Sequence, residues 1–126
     1  MKLITFRTGD TVAAGYIDGD EAVVCAEGVG AERALLNVIE GGTDALAAWS
    51  KAGKRRVPMS ELCYLAPIPE PRRDVFCVGK NYHAHAAEFH SSGFASSAKE
   101  TIHSHPVIFT KAPTSVCGPG AGGKGE

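Results

Sequence analysis

The chain has 126 residues, 44% of them hydrophobic and 21% charged, the composition of an ordinary globule with one modest core that buries roughly two thirds of its unfolded surface. A net charge of −1 and a pI near 6.5 give no electrostatic basis for binding nucleic acid or an anionic membrane. No apolar run approaches the roughly 20 residues a membrane span needs, and the opening Met1-Lys2-Leu3-Ile4-Thr5-Phe6-Arg7 lacks a signal-peptide core, so a cytoplasmic location is expected.

The first third reads as β-rich. Leu3 to Phe6, Thr11 to Ile17 and Glu21 to Cys25 are short β-prone runs, punctuated by Thr8-Gly9-Asp10 and Asp18-Gly19-Asp20. Asp-Gly between such runs is a strong hairpin signal. Ala31 to Ile39 then places Ala34, Leu35, Val38 and Ile39 at helical spacing, and Gly41-Gly42 ends the run. A second helix is expected over Asp44 to Ala52, with Leu46 and Trp49 on one face and Trp49 as a packing anchor. Lys51, Lys54, Arg55 and Arg56 follow as a short basic run, expected to be a solvated loop rather than a binding patch.

Pro58, Pro67, Pro69 and Pro71 stiffen a connector over residues 57–72, with one short strand near Leu62 to Leu65. The expected division is a small α+β module over residues 1–63 and a β-rich domain that begins at 64 and runs to 126. The fold class is thus α+β, mostly β.

Next comes the most informative stretch, Val75-Phe76-Cys77-Val78-Gly79-Lys80-Asn81-Tyr82-His83-Ala84-His85-Ala86-Ala87-Glu88. An apolar run, a glycine turn and a segment of helical character predict a strand, a tight turn and a helix start. Asn81 can cap that helix. His85 and Glu88 then stand at i and i+3 on one face, where a carboxylate beside an imidazole makes a workable general base. The plain alternative is a solvated surface helix. Ser91-Ser92-Gly93-Phe94-Ala95-Ser96-Ser97 is small and polar, the composition of a surface loop or of a lid within residues 91–105.

G-x-N-Y-x-x-H-x-x-E after an apolar strand resembles the opening motif of the fumarylacetoacetate hydrolase family. The resemblance continues through Pro106-Val107-Ile108-Phe109-Thr110-Lys111-Ala112-Pro113-Thr114-Ser115 and the turn Gly118-Pro119-Gly120, and it takes in the lead-in Leu65-Ala66-Pro67-Ile68-Pro69. It covers about residues 64–120. It implies the start of that family's β-rich catalytic domain, with His85 and Glu88 activating water and Lys111 holding oxyanion charge or a substrate carboxylate. Asn81, Tyr82 and Ser115 are expected to bind substrate.

The implied activity is metal-dependent hydrolysis of a C–C bond in an acylpyruvate-like keto acid. Relatives also decarboxylate, isomerise or cleave small keto acids, and a homodimer is expected for a complete domain. The resemblance implies Mg²⁺ or Mn²⁺ held by an E-x-E pair and a later aspartate. No E-x-E occurs in the 126 residues, so no metal ligand is assigned in this chain. The chain is accordingly expected to hold only the first part of the catalytic domain, with its glycine-rich end resembling a truncation. An inactive fragment, or a binding or interaction module completed by another chain, stays open as the alternative.

Two other motifs are weighed and set aside. A zinc cluster of His83, His85 and His90 with His103 and His105 has no cysteine or carboxylate at supporting spacing, and positions i and i+2 of a helix diverge by about 200°. Gly118 to Lys124 fits G-x-x-x-x-G-K, but Gly125 stands where a phosphate-binding loop needs Ser or Thr. The cysteines Cys25, Cys63, Cys77 and Cys117 are widely spaced and are expected as thiols without chemistry, Cys77 within the core.

Overall fold

A computed structural model describes residues 1–53, 55–79 and 106–120. Its architecture is α+β and mostly β. Two compact units divide the chain: Met1–Arg72 with Pro113–Glu126, and Arg73–Ala112.

The first unit is built on a five-stranded sheet of order β4-β3-β2-β1-β5. The strands β1 (Lys2–Thr8), β2 (Thr11–Asp18) and β3 (Glu21–Glu27) form an antiparallel meander, turned at Gly9-Asp10 and Gly19-Asp20 as the turn residues predict. β4 (Arg55–Pro58) pairs with β3, and β5 (Cys63–Tyr64) pairs with β1. Every neighbouring pair is antiparallel, so alternate side chains of each strand share a face.

Both faces of this sheet are buried. On one, Ile4, Phe6, Ala13, Ala22, Val24 and Val57 form a core, joined by Ile17, Leu62 and Tyr64. On the other, Ala14 packs with Ala34 and Leu35, flanked by Leu3, Ala26 and Trp49. The meander strands therefore combine two apolar faces with small residues, Ala13, Ala14, Gly15 and Ala22, where neighbouring elements come close.

α1 (Ala34–Lys51) covers the second face, entered by a single tight turn at Ala31–Arg33. Gly42, at φ 65° and ψ −148°, breaks it in two. A side-chain-bearing residue resists that backbone conformation, whereas glycine accepts it. The two helices expected over 31–39 and 44–52 thus run end to end across a glycine break. Ala34, Leu35 and Val38 are buried, whereas Ile39, expected with them, is 59% exposed. Ile39 lies about 100° round the helix from Val38 and about 40° beyond Leu35, past the edge of that buried stripe. Trp49 serves as the packing anchor, with its indole N–H buried and lacking an acceptor among the described residues.

The basic run is not a loop. Arg55 and Arg56 lie in edge strand β4, because Val57 between Arg56 and Pro58 is 2% exposed and belongs to the core. Arg56 lies on the face opposite Val57, whereas Arg55 shares the Val57 face but is exposed at the start of the strand. Arg55 pairs with Glu27, and Arg56 bridges Asp18 at 2.6 Å and Glu21 at 3.1 Å. The hydrogen bonds it donates to Asp18 and Glu21 hold the Arg56 guanidinium above its usual pKa. These exposed pairs add little stability each, but they occupy the basic groups that a binding patch would have to offer. Lys54 lies outside the described residues.

The second unit contains a ribbon of two antiparallel strands, β6 (Val75–Gly79) and β7 (Val107–Lys111). Val75 stands opposite Lys111, Cys77 opposite Phe109 and Gly79 opposite Val107. Phe76 is 72% and Ile108 62% exposed, and Cys77, expected in the core, is half-buried. A two-stranded ribbon by itself is marginally stable in water. No described helix is long and apolar enough to cross a membrane.

Two predictions follow from this packing. Phe6 is fully buried at the centre of its core, so Phe6→Ala is expected to cost about 3–5 kcal/mol, read by denaturant unfolding; a loss below about 1 kcal/mol contradicts the assigned core. Burial raises the Cys25 thiol pKa, and its Sγ donates to the Trp49 carbonyl at 3.3 Å, whereas Cys63 and Cys117 are exposed. With less thiolate at any given pH, Cys25 should alkylate last of the three at pH 8, as peptide mapping of a timed iodoacetamide reaction will report.

Candidate functional site

Lys111 closes β7 because the next two residues forbid its continuation. Pro113 has no N–H for the ladder and biases Ala112 toward extended backbone. The same proline suits the first position of a helical turn, and Pro113–Ser115 forms one, closed by the Val116 N–H donating to the Pro113 carbonyl at 3.1 Å. An apolar strand, an exposed lysine and a proline-started turn presenting an exposed serine therefore follow one another within nine residues, 107 to 115. The strand ends at Lys111, ahead of the proline, as the sequence predicts. Lys111 belongs to the ribbon unit and Ser115 to the sheet unit.

Asn81, Tyr82, His85 and Glu88 lie outside the described residues, as do the expected lid and all five histidines. The ribbon register bears on how they relate to Lys111. Gly79, from which the chain continues toward Asn81, stands opposite Val107, while Lys111 stands opposite Val75. Four residue steps, about 13 Å along the ribbon, separate those two ends. The ribbon alone does not bring the glycine end of the first motif to the lysine end of the second.

Among the described residues no group of three or more His, Cys, Asp or Glu side chains could hold a metal ion. The described side chains do not fit Mg²⁺ or Mn²⁺. A cavity of about 530 Å³ lies in the sheet unit beside α1, bounded mainly by small and apolar side chains such as Ala34, Val38, Ala48 and Trp49. Glu27 on its rim pairs with Arg55, and the cavity brings no acid and base together.

One residue of the second motif does something sequence reasoning did not assign. Gly118 lies against the backbone of Tyr64 and Leu65, so close that a methyl group on it would come within 2.7 Å of the Tyr64 carbonyl oxygen. The signal in the sequence was only a Gly-Pro-Gly turn, which predicts a bend and not what the bend touches.

Comparison with known proteins addresses the stretch that carries these features. The family model described as Fumarylacetoacetate (FAA) hydrolase C-terminal matches residues 74–122. The chain is 39% identical over 80 residues to an oxaloacetate tautomerase, YisK, of Bacillus subtilis (strain 168), an alignment covering 60% of this chain and 24% of that protein. It is 35% identical over 78 residues to a fumarylacetoacetate hydrolase domain-containing protein 2 homolog of Dictyostelium discoideum, covering 56% of this chain and 22% of that protein. The matched region thus spans about a quarter of the length of either relative. The family match begins at the foot of β6 and ends just past the Gly118 turn, taking in β7, Lys111 and Ser115. Residues 74–122 of the chain are thus similar to the C-terminal part of the fumarylacetoacetate hydrolase family.

Proposed function

We propose that this chain carries substrate-binding and proton-transfer groups of an enzyme that works on small 2-keto acids through their enol or enolate form. The observation that supports this most is the 39% identity to an oxaloacetate tautomerase, taken together with an exposed lysine at a strand end followed at once by a turn presenting a serine.

The chemistry asks for few groups. In tautomerisation a base takes a proton from the carbon next to the carbonyl, the electron pair moves onto the carbonyl oxygen, and that oxygen gains a proton. His85 with Glu88 is the base in this reading, each carboxylate–imidazole partner biasing the other's protonation near neutral pH. The Lys111 ammonium stabilises charge developing on the enolate oxygen, or holds the substrate carboxylate. Ser115 is a substrate contact in this reading, and Asn81 and Tyr82 are pocket residues.

A second reading is C–C hydrolysis of an acylpyruvate, supported by the hydrolase descriptions of the family and of the second relative. There the same base activates water, which attacks the distal carbonyl. The bond to the neighbouring carbon breaks, and the departing enolate takes up a proton. Lys111 and the base keep their places, so the two readings differ in whether water reaches the substrate. Mg²⁺ or Mn²⁺ dependence belongs to either as an expectation from the family.

The test uses the natural protein with Mg²⁺ present. Loss of enol absorbance from oxaloacetate reports tautomerisation, and release of a carboxylic acid from a short acylpyruvate reports hydrolysis. Glu88→Ala is expected to lower the active rate about 10²-fold or more, and an unchanged rate removes the base assignment. Lys111→Met is expected to lower kcat/KM about 10²-fold through the lost cation. Absence of both activities from the wild-type protein overturns the keto-acid reading.

A further inference from the structure

We propose that Gly118 is a positioning residue: it seats the Ser115 turn against the backbone of edge strand β5, so the N-terminal sheet sets where Ser115 stands. This rests on the keto-acid reading, which makes Ser115 a substrate contact.

The β5 edge is well defined. The Leu65 N–H donates to the Thr5 carbonyl at 3.0 Å, and the buried Thr5 hydroxyl donates to the Pro67 carbonyl at 2.8 Å. Successive peptide groups of a strand point to opposite sides, so with Leu65 bonded inward to β1, the Tyr64 residue turns its polar groups to the open edge. Gly118 occupies that edge. A methyl group at position 118 would stand 2.7 Å from the Tyr64 carbonyl oxygen, 2.9 Å from Leu65 Cα and 3.0 Å from the Leu65 carbonyl carbon.

All three obstacles are backbone atoms of a strand held on its other side by β1. None can swing aside as a flexible side chain would, so a larger residue must push the 113–118 segment off the edge. Ser115 is three residues from Gly118, a tether of at most about 11 Å, and the intervening Val116 N–H closes the Pro113–Ser115 turn. Moving residue 118 therefore moves Ser115. A displacement near 1 Å takes a substrate-binding hydroxyl out of good hydrogen-bond geometry and so weakens substrate binding.

The experiment compares wild type, Gly118→Ala, Cys117→Ala and Ser115→Ala in the natural protein. Cys117 is an exposed neighbour of Gly118 and serves as the control. Amide hydrogen exchange is read over residues 63–66 and 113–118, with the β1–β3 amides reporting that the sheet is folded. Oxaloacetate kinetics are read alongside. Gly118→Ala is expected to speed exchange at 113–118 and raise KM about 10-fold with kcat within about 3-fold, as Ser115→Ala does, while Cys117→Ala changes neither.

Unchanged exchange in Gly118→Ala overturns the seating. Faster exchange with unchanged KM, where Ser115→Ala does raise KM, overturns the positioning role and leaves the Ser115 assignment intact. Unchanged KM in Ser115→Ala removes Ser115 from the substrate site and the positioning role with it. Should Gly118→Ala not fold, Thr5→Val loosens β5 from its other side by deleting the bond to Pro67. A rise in KM parallel to that of Ser115→Ala then supports the proposal, and an unchanged KM overturns it.

Discussion

Thr5 is the residue on which the described architecture turns. It is 1% exposed, and its backbone and side chain both reach the same segment: its carbonyl accepts from the Leu65 N–H, and its hydroxyl donates to the Pro67 carbonyl. A buried donor or acceptor left without its partner costs about 1–3 kcal/mol, so the start of the proline-rich connector is fixed to β1 by its own unsatisfied groups. With β2 on its other side, β1 is paired along both edges. β5 becomes the outermost strand, and its free edge is where Gly118 comes to rest. The sheet thereby reaches the family-matched part of the chain through backbone contact, independently of side-chain identity at most of the positions involved.

The ribbon poses a different physical problem. Phe76 and Val78 on β6, and Ile108 and Phe109 on β7, all keep much of their surface exposed, and exposed apolar area of this kind marks a surface made to be covered. The register also places the Gly79 and Lys111 ends of the two motifs apart. Under the proposed function, a site that joins His85 and Glu88 to Lys111 therefore needs more than the ribbon register to assemble it.

Much of this was legible in the sequence where the determinant is local. The Asp18-Gly19-Asp20 hairpin, the three leading strands, the Cys63–Tyr64 strand and the Val107–Lys111 strand with its proline-started turn all follow from turn chemistry, alternation and the constraint of proline. Errors arose where burial by distant residues decides. The basic run that includes Arg55 and Arg56 reads as a solvated loop, yet buried Val57 recruits those arginines to the sheet beside Ala22. Ile39 fits the helical pattern but lies off the buried stripe. The strand order, with β5 returning to β1 across more than fifty residues, and the seating of Gly118 on β5 are contacts between distant segments that no local pattern encodes. The strand end at Lys111 and the turn at Ser115 were legible because both are local features, whereas the relation of β7 to the first motif is a matter of tertiary register.

The proposed function puts Lys111 at a site for the enolate of a small keto acid. Calorimetric titration with oxalate, a planar dianion resembling that enolate, tests it directly when done on the natural protein with Mg²⁺ and compared with Lys111→Met. Wild type is expected to bind, and the variant to bind at least about 10-fold more weakly, or about 1.4 kcal/mol. Equal affinity in the two proteins, or no binding by the wild type, would contradict it.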